Sequence, residues 1–215
     1  MDAVIDNLPI FLSGFWATIR LLLLSGTGAI VLGIIIAAMR ISPVAAFRAF
    51  ATVFTEILRN IPLTLVLFFC AFLLPYLEIK LDYFTLAVIG LTAYTTPFIA
   101  EAIRSGINGV AIGQAEAARA IGLDFGQTLR LVVMPQAIRM VIPPLLNVII
   151  ALTKNTSVAG GFFVVELIAA SRQVINLRGD AVIAILLAVA FFYLIITVPL
   201  GQVAARLERK VAVFR

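Results

Sequence analysis

Residues 181–205 read AVIAILLAVAFFYLIITVPLGQVAA, a run of 25 positions without a charged side chain. A helix needs about 20 mostly apolar residues to cross the hydrocarbon core of a bilayer, so this run alone is long enough to span a membrane. Further charge-free runs cover residues 21–39, 60–77, 83–100 and 140–153. The runs are continuous rather than alternating, which excludes the strands of a membrane β-barrel. The sequence therefore predicts an all-α integral membrane protein.

The composition excludes a water-soluble protein. Of the 215 residues, 63% are hydrophobic and 13% are charged, against about 45–50% and about 25% in typical soluble chains. The 16 Lys and Arg outnumber the 11 Asp and Glu, but they lie between apolar runs, where they indicate membrane topology rather than nucleic-acid binding. The single cysteine, Cys70, and the absence of histidine exclude a disulfide framework and Cys- or His-based metal chemistry.

Five membrane spans are predicted, at residues 12–39, 53–75, 83–104, 136–157 and 181–205. An odd number of spans places the two termini on opposite sides. With the C-terminus inside, the cytoplasmic segments carry ten cations, Arg40, Arg48, Arg104, Arg119, Arg130, Arg139, Arg206, Arg209, Lys210 and Arg215. The external segments carry three, Lys80, Arg172 and Arg178. Because cytoplasmic loops are enriched in Lys and Arg, we predict an external N-terminus, a cytoplasmic C-terminus and one transmembrane domain over residues 1–215.

Two connections are longer than turns. Residues 158–180 are predicted to be external, with a helix break at Gly160-Gly161 and a short external or re-entrant helix at 162–170. Residues 105–135 form a polar cytoplasmic loop. Each connection is long enough to carry structure of its own.

The cytoplasmic loop contains GQAEAARAIGLDFGQ at residues 113–127. Its Ala-rich part, 114–121, is predicted to be helical, and Gly122 is placed to end that helix. Asp124 and Gln127 have the spacing of a capping box that starts a second helix. The pattern predicts a compact helix–turn–helix with small residues on its face, a shape suited to docking in a cleft.

This loop resembles the EAA loop of ABC importer permeases. The matching positions, with their spacing, are Glu116, Ala117, Ala118, Gly122, Val132, Met134 and Pro135. In that family the loop is the coupling helix that sits in a groove of the cytoplasmic ATP-binding subunit. The resemblance therefore implies contact with an ATP-binding subunit through Gly113, Glu116, Ala117, Ala118, Gly122 and Pro135.

Further segments resemble permeases for polar amino acids. They are Glu56–Leu63, Tyr94, Ala100–Ile107, Pro135–Ala137, Pro143–Leu145 and Lys154–Ser157. One departure is Asn60-Ile61 in place of Gly-Thr, which we expect to alter backbone freedom in the second span.

This likeness implies an ABC importer type I permease fold in the inner membrane of a prokaryote. It also implies three kinds of partner: a dimer of ATP-binding subunits, a second permease (a copy of this chain or a homologue) and an extracytoplasmic amino-acid-binding protein. The sequence has no G-x-x-x-x-G-K-[ST] phosphate loop. We therefore expect a translocation subunit rather than an enzyme, with no cofactor of its own and with ATP bound by the partner.

Ionisable and polar groups within the spans mark a candidate substrate pathway. Lys154 has no acidic residue within four positions and lies beside Asn155 and Ser157, just before the glycine break. Polar groups at an interrupted helix are where transporters build substrate sites. An unpaired Lys can hold a carboxylate, which favours glutamate or glutamine. The alternative is a Lys that reaches the lipid headgroups.

Other candidate pathway residues are Tyr94, Glu56 and Arg59. Glu56 and Arg59, like Glu101 and Arg104, have the i, i+3 spacing of a pair on one helix face, and each pair can equally be self-neutralised structural charge. An ion-coupled secondary carrier or channel for small polar solutes is the alternative function. A membrane enzyme is disfavoured, because the chain lacks His, a Cys cluster and paired intramembrane carboxylates.

Overall fold

The structure is a computed structural model that describes residues 2–212. Within that range the chain is helical and contains no strand, so the all-α prediction is confirmed. The prediction of one domain over 1–215 extends beyond the described residues at both ends and stays a prediction. Arg215, counted above among the cytoplasmic cations, lies outside them.

The described residues form nine helical segments. In chain order they are α1 (Asp2–Ile5), α2 (Leu8–Ile41), α3 (Ala45–Asn60), α4 (Leu63–Tyr76), α5 (Tyr83–Asn108), α6 (Ile112–Ala120), α7 (Phe125–Gly161), α8 (Leu167–Leu177) and α9 (Val182–Ala212). Four of them, α2, α5, α7 and α9, are long and apolar enough to cross a membrane, and the bent pair of α3 and α4 is a fifth candidate.

The second span differs from the prediction. Residues 53–75 do not form one helix, because α3 ends at Asn60 and α4 begins at Leu63, with a bend of 102° between them. Pro62 causes the break: its ring disfavours the helical conformation of the preceding residue, and Ile61 is extended, with φ −103° and ψ 149°. We call this bend the elbow.

Each of the other four predicted spans corresponds to one long helix, which runs past at least one of the predicted limits. The connection at 105–135, predicted as a loop with helices, is almost wholly helical, because α5 continues to Asn108 and α7 already begins at Phe125. Span 136–157 is therefore the later part of α7. Charged and polar residues end an apolar run without ending a helix, so hydropathy alone gives spans that are shorter than the helices.

Two π-helical segments interrupt the regular hydrogen bonding just before prolines. Phe69–Leu73 precedes Pro75, and Thr128–Val133 precedes Pro135. A proline lacks the N–H that would bond four residues back, and its ring crowds the carbonyl there. A single widened turn accommodates the proline ring and the missing donor.

The core of the bundle is the contact of α2 with α5. Leu21 of α2 and Leu91 of α5 are fully buried in one cluster. At Gly33 the helices approach so closely that a Cβ atom built there would lie 2.7 Å from the Cβ of Ile99 and 3.3 Å from the carbonyl oxygen of Thr96. Small residues at such crossings let helices approach closely in lipid, where dispersion contacts replace the hydrophobic effect.

This approach predicts different outcomes for two Gly→Ala substitutions. Gly33→Ala should destabilise the protein by about 1–3 kcal/mol, because the added methyl group overpacks the crossing against the branched Ile99. Gly201→Ala, in the interior of α9 where a Cβ atom meets nothing within 4 Å, should be neutral or slightly stabilising. Thermal unfolding in detergent measures both; equal Tm values for the two variants would contradict the close crossing.

Candidate functional sites

The segment between α5 and α7 is a rigid helical knob, which we define as residues 109–127. Gly122 has φ +91°, its N–H donates to the carbonyl of Arg119 at 3.0 Å, and the N–H of Leu123 donates to the carbonyl of Ala118 at 3.2 Å. This is the Schellman pattern that ends a helix. The left-handed conformation favours glycine, so the predicted helix stop is confirmed.

The capping box at the start of α7 is also confirmed. The N–H of Gln127 donates to Oδ1 of Asp124 at 2.8 Å, and the N–H of Asp124 donates to Oε1 of Gln127 at 3.1 Å. The turn between α6 and α7 is therefore hydrogen-bonded on both sides. The knob is a fixed shape rather than a slack tether.

The predicted coupling residues occupy the surface of this knob and the helix that follows. Gly113, Glu116, Ala117 and Pro135 are exposed, whereas Ala118 packs inward and is buried. The surface also has a feature that the sequence analysis missed. Three apolar side chains project from the knob with most of their surface exposed, Ile112 (78%), Ile121 (80%) and Phe125 (68%). Large apolar side chains with this much exposed surface make the knob a candidate interaction site.

The second candidate site is the end of α7. The α-helical part ends at Asn155 and tightens into a 3₁₀ segment over Thr156–Gly161, so the predicted interruption lies at the predicted polar run. Lys154 is exposed and forms no ion pair with any described residue, while Asn155 and Ser157 are half-buried. The Ser157 hydroxyl donates to the carbonyl of Lys154 at 2.7 Å, and the Lys154 and Asn155 side chains form no hydrogen bond with another of the residues that the structure describes.

The short helix predicted at 162–170 begins later, at Leu167. Phe163 has φ +64°, a conformation that a helix cannot contain. The helix starts where Glu166 supplies a cap, since its carboxylate accepts from the N–H groups of Ile168 and Ala169. The prediction was correct about a short helix and wrong about both of its limits, since the helix continues to Leu177.

Glu166 is the functional candidate that the sequence analysis missed. Its side chain is completely buried, at 0% exposure. Oε2 accepts from the N–H of Ile168 at 2.9 Å and from the hydroxyl of Tyr193 at 3.1 Å, and Oε1 accepts from the N–H of Ala169 at 2.9 Å. Burial raises the pKa of Glu166, whereas these hydrogen bonds lower it. An acidic residue alone in the apolar stretch 158–170 was the available signal.

A charge cluster joins three helices on the predicted cytoplasmic side. Glu101 of α5 pairs with Arg104, as predicted, and also with Arg40 of α2, whose Nη1 is 2.5 Å from Oε2. Arg59, at the end of α3, lies 3.8 Å from the same carboxylate. Arg59 thus pairs across helices and not with Glu56, which is exposed and without an ion pair among the described residues.

Tyr94 and Arg59, two candidate pathway residues, lie against one aromatic ring. The rings of Tyr94 and Phe98 are 5.3 Å apart, and the guanidinium carbon of Arg59 is 5.9 Å from the Phe98 ring centre. Tyr94 also packs on the buried cluster that Val158 of the helix break contacts. The structure therefore connects Tyr94 with Arg59 through Phe98, and it leaves Glu56 apart.

A family model, individual proteins and a solved structure match this sequence over nearly its whole length. A family model described as "Binding-protein-dependent transport system inner membrane component" matches residues 29–213. The "Glutamate transport system permease protein GluC" of Corynebacterium glutamicum is 41% identical over 217 residues, 95% of each chain. The "Probable glutamine ABC transporter permease protein GlnM" of Bacillus subtilis is 37% identical over 98% of this chain and 97% of that one. A solved "amino acid ABC transporter with histidines" superposes with a TM-score of 0.89 at 26% identity, covering 96% of both chains.

The charge cluster predicts unequal effects for two Glu→Gln substitutions. Glu101→Gln leaves the partly buried guanidinium groups of Arg40 and Arg104, and the exposed one of Arg59, without their shared carboxylate, so it should destabilise the protein by about 1–3 kcal/mol. Glu56→Gln, at an exposed site without an ion pair, should change stability by less than about 0.5 kcal/mol. Thermal unfolding of both variants in detergent measures the difference. A Tm for Glu101→Gln that equals that of Glu56→Gln would show that the cluster does not hold the helices together.

Proposed function

The chain belongs to the family of binding-protein-dependent transport system inner membrane components, and we propose that it transports glutamate or glutamine as part of an ATP-driven importer. It is a multi-pass inner-membrane permease, a translocation subunit and not an enzyme. Membership in the family implies an ATP-binding subunit and a substrate-binding protein as partners. It therefore sets aside the ion-coupled carrier or channel that the sequence alone left open.

The proposed assembly contains two ATP-binding subunits beneath the membrane, a second permease and an extracytoplasmic amino-acid-binding protein. The second permease is a copy of this chain or a homologue. ATP is bound by the partner subunits, because this chain has no phosphate-loop motif of its own. On this proposal the permease contributes the pathway and the coupling surface, and it needs no cofactor.

One observation carries the proposal of coupling: the knob and the polar helix break are the two ends of the same helix. The 37 residues of α7 run from Phe125, which belongs to the knob, to Gly161 at the break. At about 1.5 Å per residue this helix is about 55 Å long, enough to cross the whole bilayer. Displacement of the knob by an ATP-binding subunit would therefore move the candidate substrate site directly.

The surface of the knob supports docking into a groove. Small residues such as Gly113 and Ala117 allow close approach, while Ile112, Ile121 and Phe125 offer apolar area to a partner. The Schellman turn at Gly122 keeps these groups in a fixed arrangement. A preorganised surface loses little conformational entropy on binding.

The choice of substrate rests on Lys154 and on the relatives. An unpaired ammonium group beside the half-buried Asn155 and Ser157 is suited to hold the α-carboxylate of an amino acid, and a second carboxylate or an amide would find hydrogen bonds there. The two curated relatives described above are named as permeases for glutamate and glutamine. Both substrates are therefore the first to test.

The coupling proposal predicts the loss of a partner when Glu116 is reversed in charge. Glu116→Lys should release the ATP-binding subunit from the permease and abolish uptake, because the substitution places a cation in the docking surface, while the permease stays in the membrane. A tagged pull-down from host membranes in mild detergent, followed by mass spectrometry, measures the release. Glu78→Lys, a matched reversal on the predicted external side, should retain the partner. Retention by both variants would rule out the knob as the coupling element.

The substrate proposal predicts a change in affinity when Lys154 loses its charge. Lys154→Gln should raise the apparent KM for glutamate or glutamine uptake at least about tenfold, because a charge-assisted hydrogen bond to the carboxylate is lost. Lys80→Gln, another exposed lysine on the predicted external side, is the control and should leave the KM unchanged. Unchanged KM and rate in Lys154→Gln would overturn the carboxylate role.

A further inference from the structure

The buried carboxyl of Glu166 connects four elements behind the polar helix break. Tyr193 of α9, which donates to it, also lies beside the hydroxyls of Thr18 in α2 and Thr156 in the 3₁₀ segment. The N–H of Leu167 donates to Oγ1 of Thr18 at 3.2 Å. Glu166 and Tyr193 thereby join α8 to α9 by a hydrogen bond, with Thr18 of α2 and Thr156 at the end of α7 beside that bond. We call these four side chains the Glu166 network.

At Gly160 the backbone of the 3₁₀ segment packs directly against this carboxylate. A Cβ atom built on Gly160 would collide with Oε1 of Glu166 and would lie 3.2 Å from its Cδ. The neighbouring Gly161 has open space, with nothing within 4 Å of a Cβ atom. At position 160 the carboxyl, and not the backbone conformation, opposes a side chain, since neither residue has a positive φ.

The polar run has an inner and an outer side. Thr156 is fully buried and belongs to the Glu166 network, while Lys154 is exposed and Ser157 is half-buried. The Ser157 hydroxyl donates to the carbonyl of Lys154 at 2.7 Å, so these two more exposed residues are joined to each other. Because all of these residues are neighbours in one short segment, holding Thr156 and Gly160 in place also limits the positions that Lys154 and Ser157 can take.

We propose that Glu166 is a positioning residue that holds the Thr156–Gly161 segment through Tyr193 and Gly160. By holding that segment it keeps Lys154, Asn155 and Ser157 in the arrangement that receives a carboxylate-bearing substrate. The part that concerns the substrate rests on the proposed function above; the part that concerns the segment does not.

The geometry distinguishes this role from simple capping of α8. A cap needs only acceptors for the first N–H groups of the helix, and the contacts with Ile168 and Ala169 meet that need. The bond from Tyr193 and the contact with Gly160 lie outside the cap. If capping were the whole role, removing either of these would leave the helix break unchanged.

The test uses the complete importer in host membranes with one reporter thiol. Cys70, the single natural cysteine, is replaced by Ser, and Ser157→Cys is labelled with a membrane-impermeant maleimide. Gly160→Ala forces the carboxylate to move and give up hydrogen bonds, so the labelling rate at position 157 should change about tenfold. Gly161→Ala, the matched control one residue later, should stay within about twofold. Equal rates in the two variants would overturn the positioning role.

Tyr193→Phe provides a second route in case Gly160→Ala does not reach the membrane. This substitution keeps the ring and removes only the hydroxyl. We expect the labelling rate at position 157 to change in the same direction as in Gly160→Ala. An unchanged rate in Tyr193→Phe would contradict the proposal even if Gly160→Ala cannot be made.

Measurements of glutamate and glutamine uptake test the substrate site at Lys154 and the positioning role of Glu166 separately. Tyr193→Phe should raise the apparent KM in the wild-type background and add nothing further in a Lys154→Gln background, because both act through one group of residues. Additive effects would overturn the link from Glu166 to Lys154. If Lys154→Gln leaves uptake unchanged while labelling still responds to Gly160→Ala, the proposed substrate site fails and the positioning of the segment stands.

Discussion

Every backbone N–H and C=O within a hydrocarbon core must find its hydrogen bond inside the protein, and the architecture depends on this constraint. The chain meets it with long helices, and it departs from regular helix only at a few places. The elbow at Ile61–Pro62, the π-turns before Pro75 and Pro135, and the 3₁₀ segment at Thr156–Gly161 are the main departures. The elbow and the 3₁₀ segment carry candidate functional residues beside them. Irregular backbone raises the free energy of a protein in the hydrocarbon core, so the places where it occurs are informative about function.

Local signals allowed much of this fold to be predicted. Charge-free runs located the spans, and the glycine and capping residues at 122–127 defined the knob, because these features depend on neighbours in sequence. The elbow was missed because an apolar run shows how long a segment is and not which direction it takes. Pro62 was visible, but its effect required attention to Ile61, whose extended backbone ends α3.

The candidate sites were predicted only in part, since their partners come from distant parts of the chain. Glu101 with Arg104 was visible as a spacing, but the pairing of Arg59 with Glu101 joins residues 42 positions apart. Glu166 was overlooked because its contact with Tyr193, 27 positions later, gives no periodic pattern. The knob was recognised by spacing, yet its exposed Ile112, Ile121 and Phe125 became evident only from the surface.

The charge cluster has a consequence for how the protein sits in an energised membrane. Three guanidinium groups, of Arg40, Arg59 and Arg104, share the single carboxylate of Glu101, which leaves an excess of two positive charges. Moving one elementary charge across a potential of 100 mV changes the free energy by about 2.3 kcal/mol. With the cytoplasmic placement predicted from the loop charges, an inside-negative potential attracts this cluster inward. The arginines that join α2, α3 and α5 thus have a second effect: the membrane potential opposes inversion of the subunit, because inversion would move their excess positive charge to the outside.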